Sequence, residues 1–200
     1  MPRVRSHDPI LADYRRALET AIAEGDAPVH EAHGRAHTAK HTIPHVKRDA
    51  MNIKGTAASR VAALQAEANK ADPKDAKIVA KAMKQASDAI AIEVAEHERK
   101  VVEAEARAEQ FTAEAARIEQ TAHLDAFNKC KADWADTKWS VWFKTCEENI
   151  AGSTEGLQAK IEAIHAEYEA AATIKAAATA AQIKREHAEQ AARQEATGAP

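Results

Sequence analysis

Aromatic side chains are scarce in this chain: three Trp, three Phe and two Tyr among 200 residues. Leu, Ile, Val and Phe together reach only 15% of the sequence, so there is little material for a large spherical core. Such a low fraction points to disorder only when net charge is also high, and here it is -3. Two cysteines, Cys130 and Cys146, exclude a disulfide scaffold. On one straight helix they would stand ~24 Å apart, too far to pair, which fits a reducing compartment. Strongly apolar runs are at most three residues long, as in Val141-Trp142-Phe143, against the ~20 needed to cross a bilayer. The first residues carry Arg3 and Arg5 but no apolar run, so no secretory leader is expected. Asp8, Asp13 and Glu19 argue against a mitochondrial presequence. Basic and acidic residues are evenly mixed along the chain, which disfavours a general nucleic-acid binder.

What the chain has instead is alanine. Fifty of them make up a quarter of the sequence, and only six Gly and six Pro interrupt it. Alanine has the highest intrinsic helix propensity, so the expected fold is all-α: an elongated helical hairpin or coiled coil with long Ala-rich helices and a shorter N-terminal helical region.

Three segments follow from the punctuation. Residues 1–73 form an N-terminal helical region. Its first helix has Asp8 placed to cap it, Pro9 at the first helical position and Gly25 followed by Pro28 to stop it. Ile10, Leu11, Tyr14, Leu18, Ala21 and Ile22 give that helix one apolar face. A His-rich helix from Val29 is expected to close at Pro44, and a third runs from Val46 to Asn69 with a weak point at Gly55. Asp72 and Pro73 read as the cap and first position of the next helix. Residues 74–151 contain neither Gly nor Pro and carry two heptad series: Ala80, Ser87, Val94, Val101, Ala108, Ala115, Ala122; and Ala76, Met83, Ile90, His97, Ala104, Phe111, Ile118, Asp125. A 3-4 repeat of that length requires a helical partner along one stripe. Residues 152–200 comprise a turn, Gly152 to Gly156, and a return helix. That helix is expected to fold back over 111–150 through Leu157, Ile161, Ile164, Tyr168, Ala171 and Ile174.

Two local features stand out. Around a helix the side chains of Phe127, Cys130, Trp134, Trp139, Val141, Trp142 and Phe143 spread over ~220°, wider than one partner helix can cover. Either several helices of this chain converge there or another protein does. Phe127, Trp134, Trp139, Trp142 and Phe143 are therefore the candidate partner-binding residues. The second feature is a row of histidines, His30, His33, His37, His41 and His45, spaced 3, 4, 4 and 4. Pairs four apart on a helix can clamp one ion, which makes His33, His37 and His41 the candidate metal ligands. A polar exposed face is the more ordinary reading. Lys74, Lys77, Lys81 and Lys84 line one helical face and read as solvated.

No phosphate loop, nucleophile elbow or metal-type Cys pair occurs, so neither catalysis nor a cofactor is expected. The resulting expectation is a non-enzymatic scaffold, spacer or stalk subunit of a larger protein assembly, docked through its Trp-rich hairpin end. Other subunits or further copies of the chain are its partners; nucleic acid and small-molecule substrates are not, and membrane contact is at most indirect. An intracellular setting is expected, with mitochondrial or virion assemblies both compatible. Two alternatives stand beside it. One is a membrane-surface helical dimer, which resembles BAR-type modules in general build; the other is a metal- or pH-responsive module on the His-rich face.

Overall fold

The computed structural model describes residues 8–142, 144 and 154–196. Among them the chain is all-α, with no strand: α1 (Asp8–Glu24), α2 (Asp26–Ala68), a 3-10 turn (Pro73–Asp75), α3 (Ala76–Trp134), a π-helical turn (Ala135–Trp139) and α4 (Thr154–Ala196). Among the described residues two compact units form, one up to residue 32 and from 114 onward, the other from 33–113. The division falls inside α2 and α3, so both helices contribute to both units.

The first unit owns the larger apolar core. Leu11, Tyr14, Leu18 and Ile22 of α1 are buried against Phe127 of α3, Trp139 of the π-helical turn and Leu157, Ile161, Ile164, Tyr168 and Ala172 of α4. Each fully buried large apolar side chain contributes about 1.5–3 kcal/mol, so this cluster is the main energetic centre of the unit. A smaller cluster joins Val29, Ala122 and Ile183.

The α1 face is the one its periodicity predicts, and α4 does fold back onto α3, but the α4 stripe differs from expectation. Ala171 and Ile174 are exposed, Ile174 by 70%, while Ala172, Thr179 and Ile183 are buried. A straight α-helix drifts about 20° per heptad against a strict seven-residue repeat, so the stripe steps by four residues, from 164 to 168 to 172, instead of returning to 171. The reversal expected at Gly152 to Gly156 lies partly outside the described residues.

The second unit is a hairpin. Ion pairs join Lys47 to Glu105 (2.7 Å), Lys54 to Glu98 (2.8 Å) and Arg60 to Glu93 (2.7 Å), advancing along α2 while retreating along α3. That order makes the two arms of the hairpin antiparallel. Asp72 accepts a hydrogen bond from the Lys74 amide and Pro73 takes the first position of the 3-10 turn, so the connection is capped as the sequence implies. The heptad series of α3 faces inward over its middle: Ile90 and Ala108 are buried and Met83, Val94, His97, Val101 and Ala104 half-buried, whereas Ala76 and Ala80 at its start are exposed.

One boundary is corrected. Pro44 does not close a helix; α2 runs through it from Asp26 to Ala68. A proline inside a helix forfeits the bond to the carbonyl four residues earlier, here Lys40, at a cost of about 3 kcal/mol. Pro44 is exposed, however, and an unbroken 3-4 stripe of wholly or partly buried residues passes behind it: Ala36, Ala39, Ile43, Val46, Ala50 and Ile53. Continuous packing on the opposite face holds the helix together where its own hydrogen bonding is weakest. Gly55 likewise lies inside α2 without interrupting it.

Candidate functional site

Tyr14 stands at the middle of the aromatic cluster. It is completely buried, its ring 4.7 Å from Trp134, 5.1 Å from Trp139 and 5.8 Å from His165, the last two edge-on. Its hydroxyl is hydrogen-bonded to Nε2 of His165 at 2.7 Å. Burial pushes the Tyr14 phenol up to about 12, with the nearby Cys130 adding to the rise. Burial also lowers His165, reinforced by Lys131, so the imidazole favours its neutral form. Part of the wide aromatic arc is thus covered by helices of the same chain, while Val141 is 64% exposed. Phe127 and Trp139 are buried in this core, Trp134 and Trp142 are half-buried against it, and the side chain of Phe143 lies outside the described residues, as does Cys146. Tyr168, at the edge, donates to Glu19 at 2.7 Å and lies beneath the Arg15 guanidinium.

A buried polar node, which sequence reasoning missed, sits at the α1–α2 junction. His123 has no solvent exposure, and its Nδ1–H donates to the Ile22 carbonyl at 2.8 Å. The same carbonyl accepts from the Gly25 amide at 3.2 Å. Nε2 of His123 stands 3.5 Å from Asp26 Oδ1. Asp26, in turn, accepts from Lys175 at 2.7 Å and from the buried hydroxyl of Thr179 at 2.9 Å. Although burial pushes the Asp26 carboxyl up, the bonds from Lys175 and Thr179 outweigh it and hold the group below the usual carboxylate range. Four helices therefore meet on one carboxylate and one imidazole.

The histidine row is displayed on α2. His30, His37, His41 and His45 are exposed and His33 is half-buried. The structure brings His37 and His41 together: their Nε2 atoms are 3.0 Å apart and their ring centroids 4.2 Å. His30 Nδ1 donates to the Asp26 carbonyl, and Arg48 donates to His45 Nδ1. Among the described residues no three His, Cys, Asp or Glu side chains converge as a metal cluster. His97, in the heptad seam, is half-buried and bonds back to the Glu93 carbonyl. Lys74, Lys77, Lys81 and Lys84 are all exposed.

Two open grooves accompany these features. In the hairpin, one of about 560 Å³ has an apolar floor of Ala63, Leu64, Ala86, Ala89 and Ile90 and a charged rim of Arg60, Glu67 and Glu93. In the first unit, one of about 570 Å³ lies between α1 and α3 beside Cys130, among Asp13, Arg16, Glu24, Lys129 and Asp133. Burial raises the Cys130 thiol, with Asp133 and Glu24 adding to the effect, which keeps it from ready thiolate chemistry. Among the described residues no helix is long and apolar enough to cross a membrane. No protein-family model matches the chain, and no match to it is found among curated proteins or solved structures.

Proposed function

We propose that the protein is a non-enzymatic helical subunit of a larger assembly, in which residues 33–113 serve as a spacer and the first unit as its anchor. The observation that carries this reading is the thinness of the hairpin interior. Between residues 33 and 113 only Ala36, Ile90 and Ala108 are buried, while Met51, Ile78, Ile92 and Val102 are 64–73% exposed. An Ala-lined coiled-coil seam lets backbones approach closely but removes little apolar area from water per turn, so such a rod gains from lateral contact with other subunits or further copies of itself. The aromatic end contributes differently from a simple docking knob. Phe127 and Trp139 hold the core, and half-buried Trp142 beside Val141, which is 64% exposed, supplies apolar surface at this end that a partner would extend.

Size-exclusion chromatography with light scattering, followed by crosslinking mass spectrometry in the native cell, tests this. The expected result is self-association or reproducible crosslinks from Lys77, Lys81 and Lys84 to defined positions on one partner. A monomer at all concentrations whose lysines between 33 and 113 crosslink only within the chain would overturn it.

A further inference from the structure

We propose that His37 and His41 form a two-imidazole site for a single divalent cation of the nickel or copper class, which clamps the turn of α2 ahead of Pro44. The two Nε2 atoms are 3.0 Å apart on an exposed helix face. Imidazole nitrogens bind such metals at ~2.0–2.1 Å, and two of them 3.0 Å apart then subtend about 94° at the ion. That angle suits the right-angled positions of square-planar or octahedral coordination and falls short of the tetrahedral angle zinc prefers. Ligand softness and the affinity order of divalent ions both place copper and nickel first at such a site. The present contact between the rings needs one Nε2–H. On binding, that ring shifts its proton to its own Nδ1, so both rings coordinate as neutral imidazoles through Nε2. Water fills the remaining positions, since among the described residues no third His, Cys, Asp or Glu converges on the pair.

The location gives the site a consequence. Pro44 deprives α2 of the bond to the Lys40 carbonyl, and Lys40 lies within the turn that His37 and His41 bracket. An ion tying residue 37 to residue 41 fixes that turn from the outside, on the face opposite the packed stripe. Metal supply thereby sets the local stiffness of α2 at its weakest point, independently of whether the chain serves as a spacer.

Titration calorimetry of the full chain with nickel chloride alone is the first test. One site per chain is expected, weakened roughly 100-fold or more in either His37→Ala or His41→Ala, because each leaves a single ligand without its chelating partner. His45→Ala should leave the affinity within about twofold, since its loss does not touch the chelate. Both altered residues are exposed, and circular dichroism checks that the variants remain helical. Copper-loaded protein should show coupling to two nitrogens by electron paramagnetic resonance, falling to one in either variant. Amide exchange between residues 41 and 48 should slow several-fold on nickel loading of the wild type and not of the variants. Absence of heat with the wild type, unchanged affinity in the two variants, loss in His45→Ala, or unaltered exchange at 41–48 would each overturn the proposal.

Discussion

Gly25 and His123 are pressed together so closely that a Cβ on Gly25 would stand 2.5 Å from the His123 Nδ1 and 3.0 Å from its Cα. The glycine is required by that approach: the one-residue break between α1 and α2 lies directly on a fully buried ring whose Nδ1–H holds the last turn of α1. Backbone cannot retreat as a flexible side chain can, so Gly25→Ala should destabilise the protein by about 1–3 kcal/mol. Gly34 and Gly55 lie mid-helix, where an added Cβ would meet nothing within 4 Å, and Gly34→Ala or Gly55→Ala should stabilise by about 0.5–1 kcal/mol. Urea unfolding of the three variants reads the opposite signs directly; equal effects would show that the close approach does not matter.

Part of this arrangement is visible in the sequence and part is not. The face of α1, the heptad stripe of α3 and the cap at Asp72 follow from local spacing, because each depends on residues within one or two turns. The continuity of α2 through Pro44 does not follow: a proline reads locally as a stop, and only the packed stripe from Ala36 to Ile53, seen in the structure, outweighs it. His123, Asp26, Lys175 and Thr179 are different: they lie on three helices up to 153 positions apart, and no period links them. One faint signal exists, in that Thr179 interrupts an otherwise apolar stripe of α4. A hydroxyl at such a position needs a buried partner, though the sequence does not say which.

The Asp26 carboxylate is the hub of that node, so its loss should show in acid. Its pKa lies below the unfolded value, and the stability it contributes is present above about pH 4 and lost as pH falls through the folded pKa. Asp26→Asn should flatten the acid limb of a melting-temperature profile below pH 4 while lowering the plateau near pH 7. Thr179→Val, which removes one bond to the carboxylate without creating a cavity, should cost about 1–2 kcal/mol at neutral pH. An Asp26→Asn profile parallel to the wild type from pH 2 to 6 would refute the assignment.

Tyr14 and His165 act at the other end of the scale. The His165 pKa is depressed, so its share of stability is complete above about pH 6.5 and declines as pH falls through the folded value. The Tyr14 pKa is raised to about 12, so its share is complete below about pH 10 and declines as pH rises toward 12. His165→Gln should weaken the pH dependence between 7 and 5, and Tyr14→Phe should weaken it above 10 while costing about 1 kcal/mol at neutral pH for the lost bond. Phenolate absorbance gives an independent check, since Tyr14 should ionise only as the native state gives way.

In the hairpin, charge arrangement makes a prediction about direction as well as strength. Lys47, Lys54 and Arg60 all lie on α2, and their partners Glu105, Glu98 and Glu93 all lie on α3, so each helix presents one sign along this edge. Exposed pairs contribute little singly, and a double-mutant cycle on Lys47 and Glu105 should return about 0.2–1 kcal/mol. Reversal of all three acids, Glu93→Lys, Glu98→Lys and Glu105→Lys, should do more harm than neutralising them with Gln, because like charges then face one another along the whole edge. Adding Lys47→Glu, Lys54→Glu and Arg60→Glu to the same chain restores every attraction with the sides exchanged and should recover most of the lost melting temperature. The deficit of the triple reversal should shrink by 1 M salt, where the screening length falls to ~3 Å, whereas the sixfold swap should be almost salt-insensitive relative to wild type. If the swap stays as unstable as the single-sided reversal, the hairpin register is set by its apolar seam alone and the ion pairs merely follow it.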